Sequence, residues 1–141
     1  TPTRRLGKGL FRKPAVVLQH SEMDCGAACI CTVIKHYGKT ISINMAREVA
    51  RVRQEGASIT NVVRALKEFG FESQSFLSTI DQLREKSLPV IANWKGYHWV
   101  VVHEVNGDEV VVADPAQGLV KYCQQEKQRR REKNRENRAT K

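Results

Sequence analysis

The chain has 141 residues, 40% of them hydrophobic, and carries 24 Lys/Arg against 15 Asp/Glu for a formal net charge of +9. That length suits one domain with a single sizeable core, and no apolar run of about 18 residues is present to cross a bilayer. The excess charge resembles a nucleic-acid signature until it is partitioned: residues 1–13 contribute +5, residues 124–141 another +5, and residues 14–123 sum to −1. The domain is therefore read as 14–123, nearly neutral, with a basic tail at 1–13 and another at 124–141.

In chain order, Gln19 precedes a first helix expected at about 24–37. Ala27, Ala28, Ile30, Cys31 and Ile34 make its apolar stripe, and Gly38 its C-terminal stop. Helices at 43–53 and 59–69 follow, with Ser42 and Ser58 as N-caps and Gly70 as a stop. A strand at 71–76 and a helix at 79–86 lead into strands at 89–94, 97–105, 109–114 and 118–123. Val105-Asn106-Gly107-Asp108 joins two of these as an antiparallel hairpin. The run 124–141 has almost no apolar residues, so it is a disordered or solvated-helical tail. It reads as a solubilising or linker segment, with an anionic partner, lipid head groups or nucleic acid, as the alternative.

Three places in this layout carry chemistry. Cys25 falls in the first turn of the first helix, where unpaired N–H groups and the dipole favour a thiolate. Gly26 beside it would let a substrate backbone approach closely. Gln19, six residues upstream, can offer its side-chain amide beside the Cys25 backbone N–H as an oxyanion hole. His98 opens the apolar run Trp99-Val100-Val101-Val102, so it can face a cleft while the strand packs inside. Asp114 ends Val110-Val111-Val112-Ala113, and Pro115 stops that strand. Adjacent strands could set Asp114 beside His98 to fix its tautomer. Glutamine, cysteine, histidine and aspartate in this order match a papain-like cysteine hydrolase.

From Leu18 to about Tyr122 the chain resembles the bacteriocin-processing peptidases, family thirty-nine of the cysteine class. The resemblance is carried by Gln19…Asp24-Cys25-Gly26-Ala27-Ala28-Cys29, Tyr37-Gly38, Gly56-Ala57-Ser58, Phe69-Gly70-Phe71, Leu88-Pro89-Val90-Ile91, Trp94, His98-Trp99-Val100-Val101 and Asp114-Pro115-Ala116-Gln117-Gly118. It implies an α+β, papain-like fold, a helical N-terminal half packed on a C-terminal antiparallel sheet. By position, the family's catalytic cysteine, histidine, aspartate and oxyanion glutamine fall on Cys25, His98, Asp114 and Gln19. It further implies cleavage of leader peptides after Gly-Gly, partnered by ABC exporter membrane and ATPase parts in cis or in trans. Family leaders dock through an amphipathic helix in an apolar groove. The aromatic-glycine segment that commonly follows Asp-Pro is replaced here by Gln124-Gln125-Glu126-Lys127, and the usual transmembrane continuation gives way to a stand-alone or excised domain.

Competing readings are weaker. Cys25-x-x-x-Cys29-x-Cys31 lacks structural-zinc spacing, and Cys25 and Cys29, one helical turn apart, are poorly set for a disulfide. No metal or cofactor is expected, and Cys29 and Cys31 read as packing residues. His20 and His36 read as surface residues; His103, an odd number of residues from His98, falls on the opposite face of a regular strand. Trp94 and Trp99 read first as packing residues and Asp108 and Glu109 as solvated turn residues. Unpaired cysteines without a secretory signal favour a cytoplasmic domain at the inner face of a membrane through an exporter. The functional alternatives are a non-catalytic docking domain of an exporter and an acyl transferase built on the same Cys-His-Asp triad.

Overall fold

A computed structural model describes residues 14–94 and 98–123; the two basic tails and Tyr97 lie outside the described residues. A 3-10 turn, Glu22–Asp24, runs into helix α1 (Cys25–His36), followed by α2 (Ile43–Val49), α3 (Ile59–Glu68) and the short α4 (Ile80–Leu83). Strands β1 (Val90–Trp94), β2 (His98–Asn106), β3 (Glu109–Asp114) and β4 (Gly118–Cys123) then form one antiparallel sheet in the order β1-β2-β3-β4. The architecture is α+β, with a helical first half and an antiparallel second half.

Burial explains why both halves need each other. Every residue of α1 from Cys25 to Ile34 is buried, as a helix that is small or apolar on all sides must be. Ile30 and Ile34 pack with Ala46 of α2, Ala65 of α3 and Val101 and Ala113 of the sheet. On the opposite sheet face, Leu83 of α4 joins Val100, Val102, Val110 and Val112 in a second cluster. The unbroken valine runs of β2 and β3 follow, since both faces of these strands are covered.

Local chemistry sets the element ends. The Ser42 and Ser58 hydroxyls accept from Met45 N–H at 3.1 Å and Asn61 N–H at 3.2 Å, capping α2 and α3. Thr79 and Gln82 form a reciprocal capping box on α4. Helices α1, α2 and α3 all close with the same pair of backbone bonds, Gly38→Lys35 with Lys39→Ile34, Arg51→Glu48 with Val52→Arg47, and Gly70→Lys67 with Phe71→Leu66. These are Schellman closures, which put the C′ residue in left-handed space. Glycine fills that position twice, but Arg51 holds φ 51° in α2. That is why α2 ends at Val49 and does not reach residue 53.

Two other expectations are corrected. Residues 71–76 form no strand: Phe71 N–H is taken by the closure of α3, and the Ser73 hydroxyl bonds back to the Val63 carbonyl at 2.8 Å. Phe71 and Phe76 are separated by four polar residues, so no alternating apolar face exists to hold a strand on the sheet. Helix α4 stops at Leu83, and residues 84–86 continue only as turns with i→i−3 bonds. In the β2–β3 hairpin, Asn106 pairs with Glu109 and Gly107 has φ 59°. Glycine thus occupies the first turn position, the II′ arrangement.

A strap precedes α1. The Ala15 carbonyl accepts from His103 Nε2 at 2.6 Å, Val17 N–H donates to Thr32 Oγ1 at 2.9 Å, and Gln19 N–H donates to the Pro115 carbonyl at 2.9 Å. The Thr32 hydroxyl in turn donates a hydrogen bond to the Ala28 carbonyl at 2.9 Å. The segment is thereby fixed to β2, α1 and the end of β3 in turn.

Candidate active site

β2 and β3 run antiparallel, so the first residue of one and the last of the other meet at the same sheet end. There His98 Nε2 lies 2.8 Å from Asp114 Oδ1. The same oxygen accepts Ala116 N–H at 2.9 Å, and Asp114 is 4% exposed. An acid held by two donors cannot swing away. With Nε2 committed to Asp114, Nδ1 is the ring nitrogen left for other work.

Cys25 is the first residue of α1 and is buried, with 5% exposure. One turn on, Cys29 is fully buried; desolvation pushes its pKa well above the ordinary thiol value, and negative charge on Cys25, Asp114 and Cys31 adds to the rise. Cys25 shares a buried cluster with Trp99 and Ala113, the chain neighbours of His98 and Asp114, which brings the start of α1 to this end of the sheet. Burial also pushes Cys31 up to about 11. Thiols in that state are inert packing groups. All four cysteines are free.

Gln19 belongs to the same neighbourhood. Its backbone is pinned to Pro115, the residue after Asp114. Its half-buried side chain leaves Oε1 without a hydrogen-bond partner among the described residues. His103 stands apart from the site: it is buried, bonded to Ala15, and its ring centroid lies 5.7 Å from that of His36. Desolvation lowers its pKa below 6.5, with smaller opposing help from the Ala15 bond. His36, which desolvation also lowers, is an exposed residue, as is His20.

Gly26 serves a purpose other than the one its position suggested. A Cβ there would come within 2.9 Å of Ala57 Cβ and 3.3 Å of Trp99 Cδ1. Its bare face admits the chain's own loop and tryptophan, with no opening for a substrate backbone on that side. Trp99 Nε1 donates to the Ala57 carbonyl at 3.1 Å, locking the three together. Trp94 stacks on Tyr122 at 6.0 Å.

Sequence reasoning passed over Arg47. Its Nε lies 3.0 Å from Oδ1 of Asp24, the residue before Cys25. No local pattern announces this pair; only the packing of α2 on α1 creates it. Among the described residues, no group of three His, Cys, Asp or Glu side chains is arranged to hold a metal ion, and no helix is long and apolar enough to cross a membrane.

Known proteins share this fold. A processing and transport ATP-binding protein for lactococcin G from Lactococcus lactis subsp. lactis is 35% identical over 112 residues, covering 75% of this chain. The colicin V secretion/processing ATP-binding protein of Escherichia coli is 28% identical over 119 residues, covering 84%. The chain spans 16% and 17% of the lengths of these two relatives. Among solved structures, the double-glycine-motif protease of an AMS/PCAT transporter, in complex with the leader peptide, superposes with TM-score 0.76 at 29% identity, covering 83% of this chain and 84% of that one. The peptidase domain of Streptococcus ComA, a bifunctional ABC transporter, gives 0.72 at 25% identity, covering 81% and 89%. The peptidase C39 family matches residues 13–130, and with that span shared and the fold in common, this chain belongs to the peptidase C39 family of cysteine peptidases.

Proposed function

We propose that this domain cleaves leader peptides after a Gly-Gly pair, maturing a bacteriocin-type or other secreted peptide before export. The observation that carries this reading is the 2.8 Å His98–Asp114 pair at the sheet end facing the start of the Cys25 helix. In this reading the Cys25 thiol gives its proton to His98 Nδ1 and attacks the carbonyl of the second glycine. Asp114 orients the ring and stabilises the imidazolium; it takes no proton. Gln19 and the Cys25 N–H hold the oxyanion. His98 then protonates the leaving amine, and water, deprotonated by the same imidazole, hydrolyses the thioester.

The partner of the leader's helical part is supported by an apolar groove of about 390 Å³. Tyr37, Ile59, Val62, Leu66, Phe76 and Ile91 are among its walls, and Tyr37, Ile59 and Phe76 are each about half exposed. Trp99 lines the same groove and packs on Gly26, beside the nucleophile. The groove thus leads towards Cys25. The domain is taken as 14–123 with basic tails on either side, working at the cytoplasmic face of a membrane with an exporter's transmembrane and ATPase parts in cis or in trans. Incubating the protein with a Gly-Gly leader peptide and weighing the products tests this directly. Two fragments divided after the second glycine are the expected result. An intact peptide would leave a docking role, and a fragment joined to an added amine would indicate acyl transfer.

A further inference from the structure

Asp24 occupies the position just before the nucleophile, and nothing in the mechanism above uses it. It is 0% exposed, sits at the N-cap of α1 and makes no capping hydrogen bond. Neither carboxylate oxygen has a hydrogen-bond partner among the described residues; Arg47 Nε approaches Oδ1 to 3.0 Å, close enough for an ion pair but outside hydrogen-bond geometry. A buried carboxylate with one ionic partner is costly to keep. A negative charge adjacent to a cysteine also opposes formation of its thiolate. The two facts point the same way, because a cation at Asp24 relieves both.

We propose that Arg47 is a positioning residue for Cys25, its guanidinium cancelling the charge of Asp24 so that the first turn of α1 can carry a thiolate. This rests on Cys25 being the nucleophile. Arg47 comes from α2, and its side chain is 42% exposed while that of Asp24 is 1% exposed. Removing the guanidinium therefore opens no cavity in the core but leaves a buried charge unbalanced. The titratable and charged groups around this end of α1 include Asp24 and Glu22 on the turn, Arg47 on α2, Cys29 within α1, His98 and Asp114 at the sheet end, and Arg51, Arg53 and Glu55 beside Gly56 and Ala57, which pack against Met23 and Gly26. His98 and Asp114 are paired with each other, and Asp24 has no other cation close to it among the described ion pairs.

The test is the pH profile of Cys25 alkylation by iodoacetamide, located by peptide mass mapping, which requires no leader peptide. Arg47→Gln is expected to raise the midpoint by about one pH unit, the scale of a unit charge roughly 10 Å away at an effective dielectric of about 20. Asp24→Asn is expected to lower it, Arg47→Lys to hold it near wild type, and the Arg47→Gln/Asp24→Asn double variant to return it to the wild-type midpoint. Opposite signs for the two single variants are what charge balance requires and what a purely packing role would not give. Midpoints that move in the same direction, or do not move with Arg47→Gln, overturn the proposal. Should Arg47→Gln fail to fold, Asp24→Asn decides alone: a fall supports the proposal, and no change or a rise ends it. Leader cleavage is scored separately on the wild-type chain, so failure of the peptidase reading is not mistaken for failure of this one.

Discussion

Asp114 has a proposed role that moves no proton, and its own contacts make that role testable. Its Oδ1 holds both His98 Nε2 and Ala116 N–H, so an amide in its place keeps the shape and an acceptor oxygen but loses the negative charge that stabilises the imidazolium and leaves an N–H₂ group that can favour the wrong ring tautomer. Asp114→Asn is expected to lower kcat on the order of 10³-fold while leader binding persists. His98→Ala should lose more, and His103→Ala should leave kcat nearly unchanged, because His103 bonds to Ala15 at the bulge of β2, five residues along the strand from His98. Steady-state kinetics with a titration of uncleaved leader separates these outcomes. Gly26→Ala tests packing at the same place. The 2.9 Å approach to Ala57 Cβ forces the loop or the helix to shift, an overpacking cost of about 1–3 kcal/mol in denaturant unfolding. The positions of Cys25, His98 and Asp114 at element ends were legible in the sequence because periodicity marks those boundaries, whereas the pinning of Gln19 to Pro115 in the strap was not. Arg47 was not, since an ion pair across 23 residues exists only once α2 docks on α1.

Among the elements, the differences between sequence and structure share a cause. Serine caps and glycine stops are read easily because the residue type is the signal: Ser42, Ser58, Gly38 and Gly70 all do what their chemistry suggests. Arg51 carries the same backbone conformation as those two glycines with nothing in its side chain to announce it, so α2 looked longer than it is. Residues 71–76 looked like a strand because a β-region segment bounded by aromatics satisfies a local pattern. A strand also needs a partner edge, and that is a tertiary fact. The arginine yields a prediction. Left-handed space costs a non-glycine residue about 1–2 kcal/mol, offset by the greater entropy a glycine loses on folding, about 0.5–1 kcal/mol. Arg51→Gly is therefore expected to stabilise the domain by about 0.5–1 kcal/mol, seen as a higher denaturant midpoint at unchanged slope; an unchanged or lower midpoint would show that Arg51 makes contacts that compensate its strain.

For the molecule as a whole, acid is the condition to watch. Burial lowers the pKa of His103 from 6.5, so the folded state prefers the neutral ring while the unfolded chain takes up a proton. Stability from this source is present above pH 6.5 and is lost as the pH falls below it. His36, lowered in the same direction and near His103, adds to the trend. Denaturant unfolding between pH 7.5 and 5.5 is expected to show decreasing stability, and His103→Gln should flatten the decline; an equal slope in the variant would trace the loss to other groups. His103 is also the outermost anchor of the strap at residues 15–19, followed inward by Thr32 and Pro115. Mechanically, that arrangement is a cable clamp. A tug on the chain ahead of residue 14 meets the Ala15 bond first, the Val17 bond next and the Gln19 bond last. Tension is dissipated by peeling one anchor at a time, so Gln19, the proposed oxyanion donor, is the final part of the strap to feel such a pull.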